Sequence, residues 1–452
     1  ITTYGHNASG IFAQSIGGGG GISGVGNSHQ PGGASGELTF TPAIAVGGSG
    51  GAGGSGGSVN VTNAGSIASY GTASSAITAQ SIGGGGGFGG NAGVIGTSGS
   101  VAVSIAVGGN GGAGGDAGAV TVVNSGNIST GASVLFTGYN NVALGGDSHG
   151  ILAQSIAGGG GVGGSADPTA NMISSYLDVA MKGVDGLLTW KNIKNYFFAD
   201  SGIPPLSYTA NVGVGGSGGA AGTPGVVDVT NSGTIQTIGH RSFGILAQSI
   251  GGGGGTGGSV MSGSSAVGTS LSGGIGLAAL KGLTFQAGVN VGGSGGDSSA
   301  GNTVNITQSG NIVTAGYGSH GVVAQSIGGG GGVGADGSIA ANTGFTGSSS
   351  VNHGVSGGFN IALGSTTSQP AIGSGGAVNY GNGGATSTSI TTYGDNAVGI
   401  LAQSIGGGGG IGSGGCTNNG ASANASACFT NTAMTPGTST PISFINGGQA
   451  MA

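Results

Sequence analysis

Charge is what this sequence most lacks. Five Lys and Arg and 11 Asp and Glu in 452 residues make up 4% of the chain, with a formal net charge of −6. The basic residues, Lys182, Lys191, Lys194, Arg241 and Lys281, are too few and too scattered to neutralise a phosphate backbone, so nucleic acid is not an expected partner. General acid–base work needs convergent ionisable groups, and acids spread this thinly do not supply them. A surface so poor in charge also resists association weakly, which makes contact between copies an expectation.

Large side chains are scarce as well: aromatics are 5% of the chain, while Gly contributes 120 residues. Glycine brings no apolar area and loses the most backbone entropy on ordering, so backbone hydrogen bonding must carry unusual weight. Gly/Ser-rich chains usually behave as flexible linkers. Here the low charge, a mean hydropathy of +0.26 and apolar residues at fixed repeat positions argue for order instead.

No apolar run reaches membrane-spanning length, and no signal peptide begins at Ile1. The phrase ITTYG at Ile1 to Gly5 returns at Ile390 to Gly394. The chain is therefore expected to be a window cut or processed from a longer polypeptide, with any export signal or anchor outside it. Cysteine occurs twice, at Cys416 and Cys428. In an exported protein such a pair reads as a local disulfide closing a surface loop, and in a cytosolic one as two thiols. No further metal ligands lie near them, so zinc is not expected.

What the sequence has is repetition. The stretch GILAQSIGGGGG recurs six times in full or with small changes, centred on Gln14, Gln80, Gln154, Gln248, Gln325 and Gln403. From the GGSGG-like run to the Gln of AQSI the spacing is 33 residues in three copies, Gly47 to Gln80, Gly215 to Gln248 and Gly292 to Gln325. It is 46 from Gly108 to Gln154, where VLFTGYNNVAL intervenes, and 30 from Gly373 to Gln403. Inside this block stand VNVTNAGSI, VTVVNSGNI, VDVTNSGTI and VNITQSGNI. Period-two positions such as Val59 and Val61, or Ile77 and Ala79, predict strands of four to six residues separated by Asn-Ser-Gly or Tyr-Gly turns. Each block that follows SIGGGGG varies in length and most end in an alternating strand, VAVSIAV or FNIAL.

Short strands that cannot bury both faces alone, repeated in tandem, predict an all-β fold, a parallel β-solenoid. Stacking puts like residues about 4.8 Å apart, so Asn63, Asn124 and Asn231 and the six Gln are candidates for hydrogen-bonded ladders. Ile11 and its counterparts are expected to point inward with the Ala two residues on. GGSGGAGGSGG from Gly47 to Gly57 keeps Gly at two of every three positions. That period fits polyproline II geometry, and the runs, two per repeat, are expected either to pack as polyglycine II helices beside the solenoid or to remain flexible loops.

One block differs from the rest. Residues 168–205 hold Trp190, the sole Trp, and three of the five basic residues. Met172, Ile173, Tyr176, Leu177, Ala180, Met181 and Val184 follow helical spacing, which predicts a small helical insertion. Trp190, Tyr196, Phe197 and Phe198 would form a partner contact or cover an exposed solenoid face. The expected organisation is solenoid repeats over 1–167 and 206–415, the insertion over 168–205, and a variable tail with a disulfide loop over 416–452.

Motifs for chemistry are not apparent. His6, His149, His240 and His320 precede strand starts at two different offsets and read as exposed turn residues. GGAGGDAGA at Gly111 to Ala119 resembles one calcium β-roll nonapeptide, but the other Gly runs lack its Asp pattern. Asp178 and Asp185 are seven apart on the expected insertion helix and read as solvated. No G-x-S-x-G elbow stands in a strand-to-helix context, and SIGGGGG lacks the Lys of a phosphate loop. No catalytic residue, metal site or cofactor is expected.

The phrases VTNSGTIQTIGHRSFGILAQSIGGGGG and VNVTNAGSIASYGTASSAITAQSIGGGGGFGG resemble the Gly-rich passenger repeats of bacterial autotransporter-type adhesins. The resemblance covers most of the chain outside 168–205 and the tail after Gly415. It implies a right-handed β-helix on the outer surface of a Gram-negative bacterium, in a non-enzymatic, adhesive or fibre-forming role with self-association. That family's C-terminal membrane barrel has no counterpart in this sequence. Two other classes stay open: a carbohydrate-binding or carbohydrate-cleaving β-helix, and a solenoid that displays the insertion to a protein partner.

Overall fold

In the computed structural model, the residues described are 1–29, 40–95, 101–134, 142–144, 146–169, 206–265, 283–342, 356–365, 373–385, 388–412, 415–419, 426–429 and 442–445. Among them there is no helix, and the chain is a parallel β-solenoid. Each repeat makes one broad coil. The first coil passes through Thr2–Thr3 (sheet 1), Ile11–Ile16 (sheet 2), a Gly run, Gly26–His29 (sheet 3), Phe40–Val46 (sheet 4), a second Gly run and Val59–Asn63 (sheet 5). It then re-enters sheet 1 at Ile67–Ser69.

Like strands of successive coils pair in parallel without slippage. Ile77 faces Ile11 on one side and Ile151 on the other, and Val120 lies between Val59 and Val227. Successive coils take 66, 74, 94, 77 and 78 residues between equivalent Gln. Register survives this variation because most of it falls outside the ladders. Residues 30–39, 96–100, 170–205, 266–282 and 343–355 all connect a sheet 3 strand to the next sheet 4 strand. The segment that lengthens the third coil includes a small antiparallel hairpin, Ala132–Val134 with Val142–Leu144.

Two cores result. Sheets 5, 1 and 2 enclose Val59, Val61, Ile67, Ile77 and Ala79 with their counterparts in the other coils. Inward hydrophobic residues of this lobe are Val, Ile and Ala in nearly every coil, as three short sheets around one axis require, with Tyr380 entering the same core from Val378–Gly381. Sheets 3 and 4 enclose a thinner core of Ala43, Ala45, Ala92, Val94, Ala106, Ala166 and Val260.

The Gly runs lie inside the coil path, not beside it, and join the two lobes. Gly83, Gly86 and Gly89 donate their N–H groups to Ile156, Gly159 and Val162 in the equivalent run of the next coil. Gly84, Gly87 and Gly90 donate instead to Gly54, Gly51 and Gly48 in the antiparallel return run. The third residue of each triplet, such as Gly85, Phe88, Asn110 or Ala113, faces outward. A chain with three residues per turn that bonds to neighbours in two directions is the packing of polyglycine II. At about 3.1 Å per residue, a nine-residue run sets the two lobes roughly 28 Å apart.

Three expectations change in detail. Pro168 and Thr169 belong to the sheet 3 strand Ala166–Thr169; the helix and the aromatics expected of the insertion lie outside the described residues. Strands on either side of it share the same sheets, so 1–167 and 206–415 form one stack. The tail is not wholly variable: Gly415–Asn419 extends sheet 3 and Ile442–Ile445 extends sheet 5.

Candidate functional site: side-chain ladders and the polyglycine layer

The AQSI strand divides its side chains by alternation. Ile77, Ala79 and Ser81 point into the first lobe and Gln80 points out. Gln14 Nε2 donates to Gln80 Oε1 at 3.1 Å and Gln80 to Gln154 at 2.6 Å. The row continues through Gln248 and Gln325 to Gln403. An amide both donates and accepts, so a single residue type propagates the row with no charge.

A second ladder is buried. Asn63 Nδ2 donates to Asn124 Oδ1 at 2.7 Å, and Asn124 to Asn231 at 2.6 Å. Gln308 takes the next place, accepting from Asn231 at 3.0 Å. Each member also donates to the carbonyl two residues on, as Asn124 does to Gly126 at 2.8 Å. The turn from sheet 5 to sheet 1 is thereby tied to its neighbours from within.

Sequence reasoning missed the Ser of AQSI. Ser81 Oγ donates to Gly57 O at 2.9 Å and accepts from Gly118 N at 2.7 Å. Ser155 does the same with Gly118 and Gly225. The hydroxyl fastens sheet 2 to the end of the returning Gly run in two successive coils. A further hydroxyl row runs through Ser74, Ser148, Ser242 and Ser319, each N–H donating to the next Oγ. The signal available for both was a Ser recurring at one repeat position with no catalytic context.

The histidines occupy two separate rows of the sheet 1 to sheet 2 turn, which explains their two offsets. His6 and His240 accept from Thr72 and Tyr317 amides. His149 and His320 sandwich Phe243, with ring centroids 4.8 and 5.1 Å away. Burial pushes His149 down to about 4, with nearby Asp147 opposing, and burial also lowers His320. His149 Nδ1 accepts from the Phe243 amide at 3.1 Å, an arrangement only the neutral ring can make. Asp147 and Arg241, both at positive φ, form a two-pronged ion pair at 2.8 and 2.9 Å that crosses one coil step. The guanidinium holds the Asp147 carboxyl below its ordinary range. Both groups are well exposed, so the pair adds little stability.

Among the described residues no three His, Cys, Asp or Glu side chains gather to hold a metal. No helix among them is long and apolar enough to cross a membrane. The backbone sets Cys416 directly opposite Cys428 in an antiparallel pair, Gly415–Asn419 with Ser426–Phe429. Opposed residues in such a pair have Cα atoms about 4.5–5.5 Å apart, within the span a disulfide bridges. Trp190, Tyr196, Phe197 and Phe198 lie outside the described residues. Among the described residues, the arrangement is a set of self-propagating hydrogen-bond rows built mainly from neutral side chains. No protein-family model, curated protein or solved structure matches the chain.

Proposed function

We propose that this protein is a non-enzymatic extracellular structural or adhesive element of a Gram-negative cell surface, a self-associating fibre or adhesin passenger. The observation that carries the reading is continuity: backbone ladders, two amide rows and two polyglycine layers step from coil to coil in register. A stack held by short, shared hydrogen bonds at every level resists bending and shear, which is what a rigid surface element needs. Neutral rows also carry no charge for salt to screen, so the cohesion they supply does not depend on ionic strength. The likeness of its repeats to autotransporter-type passengers agrees with this role.

The topology favours one place for adhesive contact. Because the five most variable segments all join sheet 3 to sheet 4, the strand ends that bound them line one rim of the second lobe. The stack holds those strand ends in register while the length and composition of the connecting sequence change from coil to coil. Electron microscopy of the purified chain tests the fibre reading: uniform filaments support it, and monodisperse short rods at all concentrations sink it. Replacing 170–205 by a short linker should leave assembly intact and remove binding to any partner held by that rim.

A further inference from the structure

We propose that the outer face of sheet 4 is an interface for a second copy of this chain, pairing solenoids side by side. The proposal rests on the fibre reading above and specifies its lateral contact.

Sheet 4 is built the wrong way round for a sheet facing water. In Phe40–Val46, Thr41, Ala43 and Ala45 are buried, whereas Phe40, Ile44 and Val46 are 66%, 60% and 60% exposed. In-register pairing carries that choice through the stack. Ile44, Ile105, Val212, Val289 and Ile361 form one outward row. The neighbouring row runs from Val46 through Val107, Val214 and Val291 to Leu363. Between these rows the inward positions are small or polar, such as Ala106 and Asn290, each fully buried.

A one-residue slip would exchange the two faces and bury every large aliphatic group. The narrow gap to sheet 3 forbids it, because the core there is filled by Ala and Val. The large residues are left outside. Sheet 2 also turns apolar residues outward, Phe12, Ile16 and Ile405 among them, but there the Gln row runs between them. Sheet 5 turns Asn60, Thr62, Asp228 and Thr230 outward, and sheet 3 turns out Asn27 and Asp167. Apolar patches larger than a few hundred Å² are uncommon on isolated proteins and mark contact surfaces.

The chemistry of the face selects the occupant. Its rows hold no charge and no hydrogen-bonding side chain, which disfavours a polar ligand such as a sugar. A second sheet 4 meets every requirement. It has the same strand spacing of about 4.8 Å and would pack at about 10 Å with its branched side chains interdigitated. Five strands span about 24 Å and four outward residues about 20 Å, so each copy offers about 500 Å² in plan. Two copies bury about 1,000 Å², the lower limit for a specific interface. A two-fold pair that associates reversibly follows.

The test compares the full chain with Ile105→Lys/Val212→Lys and with a control pair on sheet 5, Thr121→Lys/Thr230→Lys, by sedimentation equilibrium, negative-stain microscopy and thermal melting. The expected result is that the sheet 4 variant weakens side-by-side association by at least about tenfold, roughly 1.4 kcal/mol, and yields single-width particles. Its melting temperature should match that of the control pair. The proposal is overturned if the unmodified chain forms only single-width particles, or if the sheet 4 variant pairs as well as the control does. A lowered melting temperature in the sheet 4 variant alone, with association unchanged, would show that the chain's own segments cover the face and would also overturn it. So would phosphatidylcholine vesicle binding lost in that variant with no change in association. Single-width filaments that still elongate would reject this interface and leave the fibre reading standing.

Discussion

The polyglycine layer makes a sharp prediction about two glycines only 27 residues apart in sequence. A Cβ added at Gly112 would lie 1.9 Å from Gly51 O and 2.8 Å from Gly87 N, whereas one added at Gly85 meets nothing within 4 Å. Relieving the first clash to ordinary contact requires the runs to part by about 1.5 Å. Four bonds cross that gap: Gly50 N to Asn110 O, Gly53 N to Ala113 O, Gly87 N to Gly51 O and Gly112 N to Gly87 O, all between 2.8 and 2.9 Å. At about 1 kcal/mol net for each bond, Gly112→Ala should cost about 3–5 kcal/mol. Gly85 does not have a left-handed φ, so Gly85→Ala should be neutral or stabilise by about 0.4–1 kcal/mol through the unfolded chain. Hydrogen exchange read by mass spectrometry is the suitable assay. In a solenoid each coil leans on its neighbours, so lost protection should be confined to the Gly runs near residues 48–57, 84–90 and 108–115. Equal exchange in the two variants would refute the claim that close backbone packing, and not composition alone, fixes these glycines.

Other perturbations follow from the ladders and the turn. Asn124→Ala strands the Asn231 Oδ1 acceptor in a buried site and should cost about 1–3 kcal/mol in a denaturant titration. Gln14→Ala, on the exposed end of the outer row, should cost no more than about 0.5 kcal/mol. Because burial lowers His149 in the folded chain to about 4 from its ordinary 6.5, the fold favours the neutral ring. Stability should hold above pH 6.5, fall as the pH drops toward 4 by up to about 3 kcal/mol, and change no further from this group below that. His149→Asn, which keeps an acceptor, should flatten the decline in melts taken across that window. Cys416 and Cys428 should form a bond when the protein is made under oxidising conditions, seen as a two-hydrogen mass difference on reduction. Reduction should loosen the 415–429 hairpin and leave exchange in sheet 2 unchanged.

Much of the architecture is legible in the sequence because a solenoid repeats its own constraints. The recurrence of AQSI and of V-x-V-x-N states the strands, their inward positions and the residues able to form rows, since in-register stacking is the only way to bury those positions in every repeat. The G-G-x period states the polyglycine geometry, since two of three positions face a neighbouring backbone closely and only a few of them, Ala157, Ala221, Ser298, Ser299 and Ala335, carry a Cβ. The Ser of AQSI was hidden because a hydroxyl that fastens one backbone run to another leaves no spacing signature beyond its recurrence.

Tertiary structure alone decided three things. It closed each repeat into a single coil with two lobes, because the runs travel out and back and bond to each other across sequence distances no local pattern encodes. It gave four histidines two environments, an outer row that accepts backbone amides and an inner row stacked on Phe243, because the in-register turn holds each sequence offset at one place along the stack. It placed the branched residues of sheet 4 outside, because strand alternation specifies that one face is apolar, while the width of the gap to the facing sheet determines which face turns inward.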